Sequence, residues 1–229
     1  MPDLSALLWP NVVAVISASP DPTILRGRLM EVVSSHDYKG TIYPISRSHD
    51  EILGRRCYKS IDDVPEKVDL AILIIPAKFI PDTLARCGEL GVRAAQILTS
   101  GFAEEGGDEG VAVQDEIRAI AERYDMAVMG PNSEGFANSA AALCPTFSPA
   151  VDKTELPLLP PWRTDGHITA IAQSGGMGFA FYDHGRPKEL PFNYIIATGN
   201  EACVETLDVV DYLLDEGKTD AFILFMEDV

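Results

Sequence analysis

The chain has 229 residues, enough for one large domain or two small ones with a buried core. Acidic side chains number 35 against 18 basic ones, a formal net charge of −17, which argues against binding to nucleic acid or an anionic membrane because both are themselves negative. No apolar run reaches the ~20 residues of a membrane helix, and no basic segment precedes an apolar one, so neither a membrane span nor a signal peptide is expected. The four cysteines lack metal-ligand spacing, which favours reduced thiols, a cytoplasmic location and no metal.

In the first half of the chain, short apolar runs rich in β-branched residues alternate with longer stretches of helical periodicity. The predicted strands are 11–17, 41–45, 68–75, 93–99 and 126–129, and the predicted helices are 23–34, 81–90 and 109–124. Because the strands are apolar throughout, both of their faces should be buried, as in a parallel sheet covered by helices. The alternation predicts an α/β fold with a doubly wound, Rossmann-like sheet.

The alternation stops over residues 145–166 and then resumes. That stretch is rich in proline and lacks periodicity, so it is predicted to be a linker or a long surface crossing. Beyond it, predicted strands at 167–173, 192–198 and 221–226 alternate with helices at 176–183 and 204–216. We therefore expect two domains, 1–144 and 167–229, joined by the 145–166 linker. The second is expected to be incomplete, since a parallel α/β unit rarely ends on an uncovered strand.

The turn after the first predicted strand has the features of an anion site. It comprises Ser17, Ala18, Ser19, Pro20, Asp21 and Pro22. Small residues before a helix N-terminus leave free N–H groups and a positive dipole end facing the turn. The GxGxxG motif is absent, as is the acidic residue that would hold an NAD ribose, whereas Lys39 and Arg47 suit a phosphate. An ordinary βα turn with solvated cations explains the same pattern equally well.

Further strand ends carry residues typical of loops, at 75–79, 99–102 and 130–133. In an open parallel sheet the ligand crevice lies beyond such ends, so they indicate a groove for an extended ligand with phosphate, although turn chemistry alone also explains them. After the strand at 167–173, Ser174, Gly175 and Gly176 predict a second cradle of backbone N–H groups. Ser174 does not fit a hydrolase nucleophile, because Ala172 replaces the required glycine.

Short motifs spread over nearly the whole chain follow one order and spacing. They lie at 13–19, 43–44, 69–72, 75–76, 99–102, 130–132, 173–176 and 199–201. In that order they resemble the NDP-forming acyl-CoA synthetases, relatives of the α subunit of succinyl-CoA synthetase. The resemblance implies a Rossmann-like CoA-binding domain followed by a flavodoxin-like ligase domain.

The resemblance also implies roles for individual residues. The implied CoA contacts are Ser17, Ala18, Ser19, Pro20, Asp21, Pro22, Arg26, Pro44, Arg47, Ile75, Pro76, Leu98, Thr99 and Ser100. Asn132 would lie near the thiol end of CoA, and Glu227 would orient a phosphohistidine. The phosphoryl group would be held by Ser174, Gly175 and Gly176. Since the chain as a whole is acidic, CoA has to be attracted by local cations, for which Arg26, Arg28 and Arg47 are the candidates.

The implied activity is that of an acid–CoA ligase. It would make acyl-CoA from a carboxylic acid, CoA and ATP or GTP, through an acyl phosphate and a phosphohistidine. The nucleotide and Mg²⁺ would bind to a part outside this chain, an ATP-grasp domain or a β subunit, within an oligomer.

Several residues depart from the family pattern. Ser133 stands where cysteine is usual, Ser17 stands where glycine is common, and Glu134 puts a charge near the acyl site, so the acid accepted would be unusual or the activity lost. None of the four histidines lies in the family's phosphohistidine segment. The alternative function is a CoA-binding regulatory module without catalysis. The predicted fold alone would also suggest an NAD(P) oxidoreductase, but the missing GxGxxG motif disfavours that function.

Overall fold

Eleven strands and six α-helices form in the part of the chain that the computed structural model describes, residues 3–152 and 166–227. The strands are β1 (Val12–Ile16), β2 (Thr41–Ile45), β3 (Glu51–Ile52), β4 (Arg55–Arg56), β5 (Leu70–Leu73), β6 (Ala94–Ile97), β7 (Ala127–Met129), β8 (Gly135–Asn138), β9 (Ile168–Ala172), β10 (Phe192–Ala197) and β11 (Ala221–Phe225). The helices are α1 (Ser5–Leu8), α2 (Leu25–Ser35), α3 (Ile80–Glu89), α4 (Asp108–Tyr124), α5 (Gly175–Gly185) and α6 (Thr206–Glu216).

The first sheet is parallel and five-stranded, in the order β2-β1-β5-β6-β7. Along β1, Val13 and Val15 pack into one hydrophobic core, whereas Ala14 and Ile16 pack into the other. Both faces of the sheet are therefore covered, as the unbroken apolar runs predicted. The predicted Rossmann-like fold is confirmed.

The second sheet has the order β11-β9-β10-β8 and is mixed. Strands β9, β10 and β11 are parallel, as expected, but β8 runs antiparallel to β10, with Phe136 opposite Ile196. Strand β8 was not predicted from the sequence, because it is short and carries Gly135 and Asn138, two residue types that strands disfavour. It precedes residue 144 and yet pairs in the second sheet. The domain boundaries 1–144 and 167–229 stay a prediction.

The predicted linker is described only over residues 145–152. There Gln96 Nε2 donates to Pro145 O at 2.7 Å, and Thr146 and Ser148 are buried. Val151 packs in a core with Phe179 and other residues of the second unit. This part of the stretch is packed against the protein. The rest of the predicted linker, 153–165, lies outside the described residues.

The single-turn helix α1 lies where the two units meet. Leu7 and Leu8 are fully buried, and the Asn138 side chain of β8 donates to Leu8 O at 2.9 Å. One turn is too short to show helical periodicity, so α1 could not be predicted from the sequence. None of the helices found in the described residues is long and apolar enough to cross a membrane.

Candidate functional site

A pocket of about 640 Å³ opens at the carboxyl ends of β1, β2 and β5. The chain leaves β1 for β2 on one side and comes back to β5 on the other, so the pocket lies at the switch point where open α/β sheets bind ligands. The predicted contacts that it brings together are Ser17, Ala18, Ser19, Arg26, Arg47, Ile75 and Pro76. Phe79, from the predicted strand-end segment 75–79, also lines the pocket. The lining residues that sequence reasoning missed include Ser46, Ser48, His49, Lys59, Ser60, Asp82, Thr83 and Arg86.

Ser17 begins the turn in a left-handed conformation, with φ of +69°. Residues other than glycine rarely adopt this backbone conformation, which explains why glycine is common at this position in the family pattern. The Ser17 hydroxyl accepts a hydrogen bond from Arg26 Nη1 at 3.3 Å. The serine thus connects the end of β1 to a basic side chain on α2.

Gly27 lets this turn lie directly on helix α2. A β-carbon placed on Gly27 would come within 1.8 Å of Asp21 O, closer than atoms can approach. The turn is closed by Asp21, whose carboxylate accepts from the Thr23 hydroxyl at 2.7 Å and from Thr23 N at 3.0 Å. These bonds lower the pKa of Asp21. Although GxGxxG is absent, one glycine still permits the close contact of turn and helix.

Among the described residues, four lysine and arginine side chains line the pocket, and they differ in whether they form ion pairs. Lys59 pairs with Asp50 at 2.7 Å, and Arg86 pairs with Glu89 at 2.6 Å and with Asp62. Arg86 holds the pKa of Asp62 well below its usual range, at about 2.

Arg26 and Arg47 are the pocket cations that remain available to an anion. Both are exposed, and within the described residues neither has a carboxylate at ion-pair distance. The third predicted cation, Arg28, instead pairs with Glu31 at 2.8 Å and with Asp152, and it is not among the described residues that line the pocket.

The aromatic ring of Phe79, the residue that immediately precedes α3, forms part of the pocket wall. The Phe79 side chain is 50% exposed, and Lys78 Nζ lies 5.0 Å from its ring centroid. An exposed apolar ring beside cations suits a ligand that is partly flat and partly anionic.

Several predicted CoA contacts are not among the described residues that line the pocket. They are Pro20, Asp21, Pro22, Pro44, Leu98, Thr99 and Ser100. Pro44 lies within β2 opposite Val15, and Thr99 Oγ1 donates to Ile75 O at 2.7 Å, which ties the ends of β5 and β6 together. The CoA contacts assigned to them stay a prediction.

The second predicted cradle lies at the start of α5, with Ser174 as its N-cap residue. Glu134, from the loop before β8, lies against it: a β-carbon placed on Gly175 would come within 2.9 Å of Glu134 Oε2. Burial raises the pKa of Glu134, and a hydrogen bond with Ser148 opposes that rise. A carboxyl group therefore lies beside the turn that is predicted to hold a phosphoryl group.

Asn132 is exposed and has a left-handed backbone, with φ of +57°. Its side-chain Nδ2 donates to Asn200 Oδ1 at 3.2 Å, and Asn200 N donates to Pro131 O at 2.9 Å. Gly199 permits this approach, because a β-carbon there would lie 2.3 Å from Pro131 O. The predicted motifs 130–132 and 199–201 thus meet.

Glu227 follows β11 and lies beside the Ser174 turn. Its backbone N–H donates to Gln173 Oε1 at 2.6 Å, and Gln173 Nε2 donates to Glu201 Oε2 at 3.0 Å. Glu201 also accepts from the Thr198 hydroxyl at 2.7 Å. Glu201 therefore connects the ends of β9 and β10, and Gln173 extends the connection to the end of β11. Sequence reasoning gave Glu201 no role; its place after Gly-Asn at a strand end was the available signal.

The four cysteines are free, and burial raises the pKa of each thiol. Cys87 and Cys203 reach about 12, and the pKa values of Cys57 and Cys144 also rise. No cluster of three or more metal-binding side chains occurs in residues 3–152 and 166–227.

Two family models match the sequence. Residues 11–139 match the CoA binding domain, and residues 165–229 match the succinyl-CoA ligase like flavodoxin domain. The chain belongs to the CoA binding domain family. Because the second match follows the first in the predicted order, the resemblance to the NDP-forming acyl-CoA synthetases is also confirmed.

Curated relatives with similar sequences are named as CoA ligases. The chain is 34% identical to the acetate–CoA ligase (ADP-forming) I subunit alpha of Pyrococcus furiosus, over 99% of this chain and 47% of the relative. It is 33% identical to the acetate–CoA ligase (ADP-forming) I of Archaeoglobus fulgidus, over 99% of this chain and 31% of the relative. The chain therefore spans less than half the length of these relatives.

A solved structure is also similar across the whole chain. It is the dinucleotide-forming acetyl-coenzyme A synthetase 1 of Ca. Korarchaeum cryptofilum, in complex with phosphate and ADP. The TM-score is 0.88 at 31% identity, with 100% of this chain and 46% of that chain covered. In this CoA binding domain protein, the 640 Å³ pocket lies inside the matched residues 11–139.

Proposed function

We propose that the chain is the CoA-binding part of an NDP-forming acid–CoA ligase. Such an enzyme makes acyl-CoA from a carboxylic acid, CoA and ATP or GTP, through an acyl phosphate and a phosphohistidine. The observation that carries the proposal is the pocket at the switch point of the CoA binding domain, which is lined by Arg26 and Arg47, two exposed cations for which the described residues provide no ion-pair partner. Phosphates pair strongly with guanidinium groups, and CoA carries several phosphates.

The proposed CoA pose follows from the charges of the pocket. The phosphates of CoA lie between the turn at 17–19, Arg26 and Arg47, and the adenine lies beside Phe79. The pantetheine arm runs along the carboxyl ends of β5, β6 and β7 toward Asn132. The order of these strands in the sheet supports that direction.

The phosphoryl group is assigned to the start of α5, with Ser174, Gly175 and Gly176 as its backbone donors and with Glu227 nearby. The Ca. Korarchaeum cryptofilum structure in complex with phosphate and ADP supports an enzyme that handles phosphate. A helix N-terminus stabilises such an anion without any change in its own protonation.

The remaining parts of the reaction belong to a longer assembly. We assign ATP or GTP and Mg²⁺ to an ATP-grasp domain or β subunit, and we propose an oligomer in the cytoplasm. The share of the relatives that the chain covers, 31% and 47%, supports a partner region. The free thiols support a reducing compartment.

The second candidate function is a regulatory module that binds CoA without catalysis. The observation in its favour is Glu134, whose carboxyl group lies at the cradle that the ligase needs for phosphate. CoA binding is common to both functions, so it cannot separate them.

Calorimetric titration with CoA, dephospho-CoA and NADPH tests the CoA site. We expect CoA to bind with a dissociation constant of about 1 μM, some −8 kcal/mol, and dephospho-CoA to bind more weakly because it lacks a phosphate. NADPH binding without CoA binding would refute both candidates. To separate them, the chain is assayed together with its ATP-grasp part: the ligase forms acyl-CoA from acid, CoA and ATP, and the regulatory module does not.

A further inference from the structure

Among the described residues, His49 is the histidine that lines the pocket, and it lies shortly beyond the carboxyl end of β2. In doubly wound folds this strand end holds the ribose of a nucleotide ligand, with an acidic residue for a free hydroxyl or an arginine for a ribose phosphate. Strand β2 is followed by Ser46, Arg47, Ser48 and His49, and the first acidic residue is Asp50. The segment therefore suits a phosphorylated ribose.

Two serine hydroxyls hold one nitrogen of the His49 ring. Ser46 Oγ lies 3.2 Å from His49 Nδ1, and Ser48 Oγ lies 3.0 Å from it. Ser46 is only 4% exposed, and its backbone N–H donates to Tyr58 O at 2.8 Å, so the ring is attached to a fixed part of the protein. Within the described residues, His49 Nε2 makes no hydrogen bond. This second nitrogen is therefore available to a ligand.

The charge next to His49 in the chain already has its own partner. Lys59 Nζ donates to Asp50 Oδ1 at 2.7 Å and to His49 O at 3.0 Å. The bond from Lys59 lowers the pKa of Asp50, and the His49 ring adds a smaller effect in the same direction. In the part of the chain that the structure describes, no carboxylate forms an ion pair with His49. A positive charge on this ring is thus left for a bound anion.

The other charged groups that face the pocket are mostly cations. Helix α2 contributes Arg26, and helix α3 contributes Asp82 and Arg86. With Arg47 and Lys59, the described lining residues hold four permanent cations and one carboxylate. Histidine gains its proton between about pH 8 and about pH 5, and a bound phosphate favours the protonated form. The charge of this pocket therefore depends on pH through its histidine.

We propose that His49 is a specificity-determining residue, which binds the ribose phosphate of CoA through Nε2 when the ring is protonated. The proposal rests on the proposed function, because that function places CoA in this pocket. Ser46 and Ser48 orient the ring by Nδ1, so the N–H at Nε2 donates to a phosphate oxygen. Both nitrogens of a protonated imidazole are donors, and a charged donor makes the stronger hydrogen bond. The preference for CoA over dephospho-CoA is therefore larger at mildly acidic pH than at alkaline pH.

The test is calorimetric titration of the whole chain with CoA and with dephospho-CoA, which lacks the ribose phosphate. The preference is the dissociation constant of dephospho-CoA divided by that of CoA. In His49→Asn the amide stays near the position of Nδ1 and keeps the serine contacts, whereas Nε2 and the positive charge are lost. At about pH 6 we expect the preference of wild type to exceed that of His49→Asn on the order of tenfold. At about pH 8.5, where the imidazole is neutral, the two preferences should agree.

Two further variants separate the charge of His49 from other effects. His184→Asn is the matched control, because His184 is exposed in the last turn of α5 and is not among the described residues that line the pocket. It should keep the wild-type preference at both pH values. His49→Lys carries a charge that does not titrate in this range, so its preference should stay high at about pH 8.5. The phosphate of CoA also gains a proton near about pH 6, but that change is common to all variants.

The outcomes distinguish His49 from the pocket as a whole. Equal preferences in wild type and His49→Asn at about pH 6 overturn the role of His49 and leave CoA binding, and with it the proposed function, in place. A preference that falls by the same factor at both pH values also overturns it, since a purely structural role would give that result. A wild-type chain that binds no CoA overturns the proposed function together with the role of His49.

Discussion

The indole N–H of Trp9 donates to Glu216 Oε1 at 2.8 Å, although 207 positions separate the two residues. The Tyr194 hydroxyl donates to both oxygens of the same carboxylate, at 3.0 and 2.9 Å. Lys218 Nζ lies 3.1 Å from Glu216 Oε1. One carboxylate thus joins the N-terminal segment, β10 and the end of α6.

Replacing Glu216 with alanine should destabilise the folded chain by about 2–4 kcal/mol, because the Tyr194 hydroxyl and the Trp9 indole lose their acceptor in a largely buried place. The free energy of unfolding in urea measures this loss. Asp215→Ala is the matched control, since Asp215 is the preceding acidic residue of α6 and is exposed. Similar losses in the two variants would contradict a special role for Glu216.

Gly27→Ala should destabilise the chain and weaken CoA binding, although alanine normally favours a helix over glycine by up to ~1 kcal/mol. The added carbon would lie 1.8 Å from Asp21 O, so the turn at 17–22 has to move. We expect a loss of about 2–4 kcal/mol in unfolding free energy.

For Gly176→Ala, by contrast, we expect no loss of stability. Among the described residues, no atom other than those of its chain neighbours and of the α5 backbone lies within 4 Å of a β-carbon placed there, so this variant should be as stable as wild type or slightly more stable. Thermal denaturation of both variants checks the contrast, and a Gly27→Ala chain with wild-type stability would disprove the close contact.

Arg26→Ala and Arg47→Ala should each weaken CoA binding by roughly tenfold to a hundredfold, since a hydrogen bond to a charged group contributes about 1.5–3 kcal/mol. Calorimetry measures the change. Arg123→Ala is the control: Arg123 is exposed in the last turn of α4 and stacks on Tyr124, so CoA affinity should stay at the wild-type value. Uniform effects in all variants would indicate a general charge effect instead of a pocket.

Glu134 should make stability depend on pH in a defined direction. Burial raises its pKa in the folded state above the ordinary value of 4.5, so the folded chain binds more protons than the unfolded chain just above that value. Stability contributed by this residue is therefore present at lower pH and lost as pH rises through the folded pKa.

Glu134→Gln removes this loss. The unfolding free energy of the variant relative to wild type should accordingly increase between about pH 4 and about pH 7, a range that spans ordinary and raised glutamate pKa values. Urea denaturation at several pH values measures the difference. A difference that stays constant, or that shrinks toward neutral pH, would contradict a raised pKa.

The strands and helices of the first sheet could be predicted because each carries its own signal. Runs such as Leu70–Leu73 are apolar on both faces, and helices such as Asp108–Tyr124 are long enough to show a period. Strand Gly135–Asn138 lacks any such signal, since only its pairing with β10 makes it a strand.

Some residues of the candidate site could likewise be predicted from local sequence, and others could not. The turn at 17–22 could be found because its residues are consecutive and precede a helix. Lys59 and Arg86 reach the pocket from the segment after β4 and from α3, and only the tertiary structure brings them together. The contact between Glu134 and Gly175 likewise depends on how the loop before β8 meets α5, which local sequence does not report.

The raised thiol pKa values of Cys87 and Cys203 have a practical consequence for work with a thiol ligand. With a pKa of about 12 at Cys87 and Cys203, only about one thiol in ten thousand ionises near pH 8, and the thiolate is the form that reacts. Disulfide reagents such as Ellman's reagent should therefore modify these two thiols of the folded chain slowly. In a mixture of this protein and CoA, the thiol of the ligand should react well before Cys87 and Cys203 do.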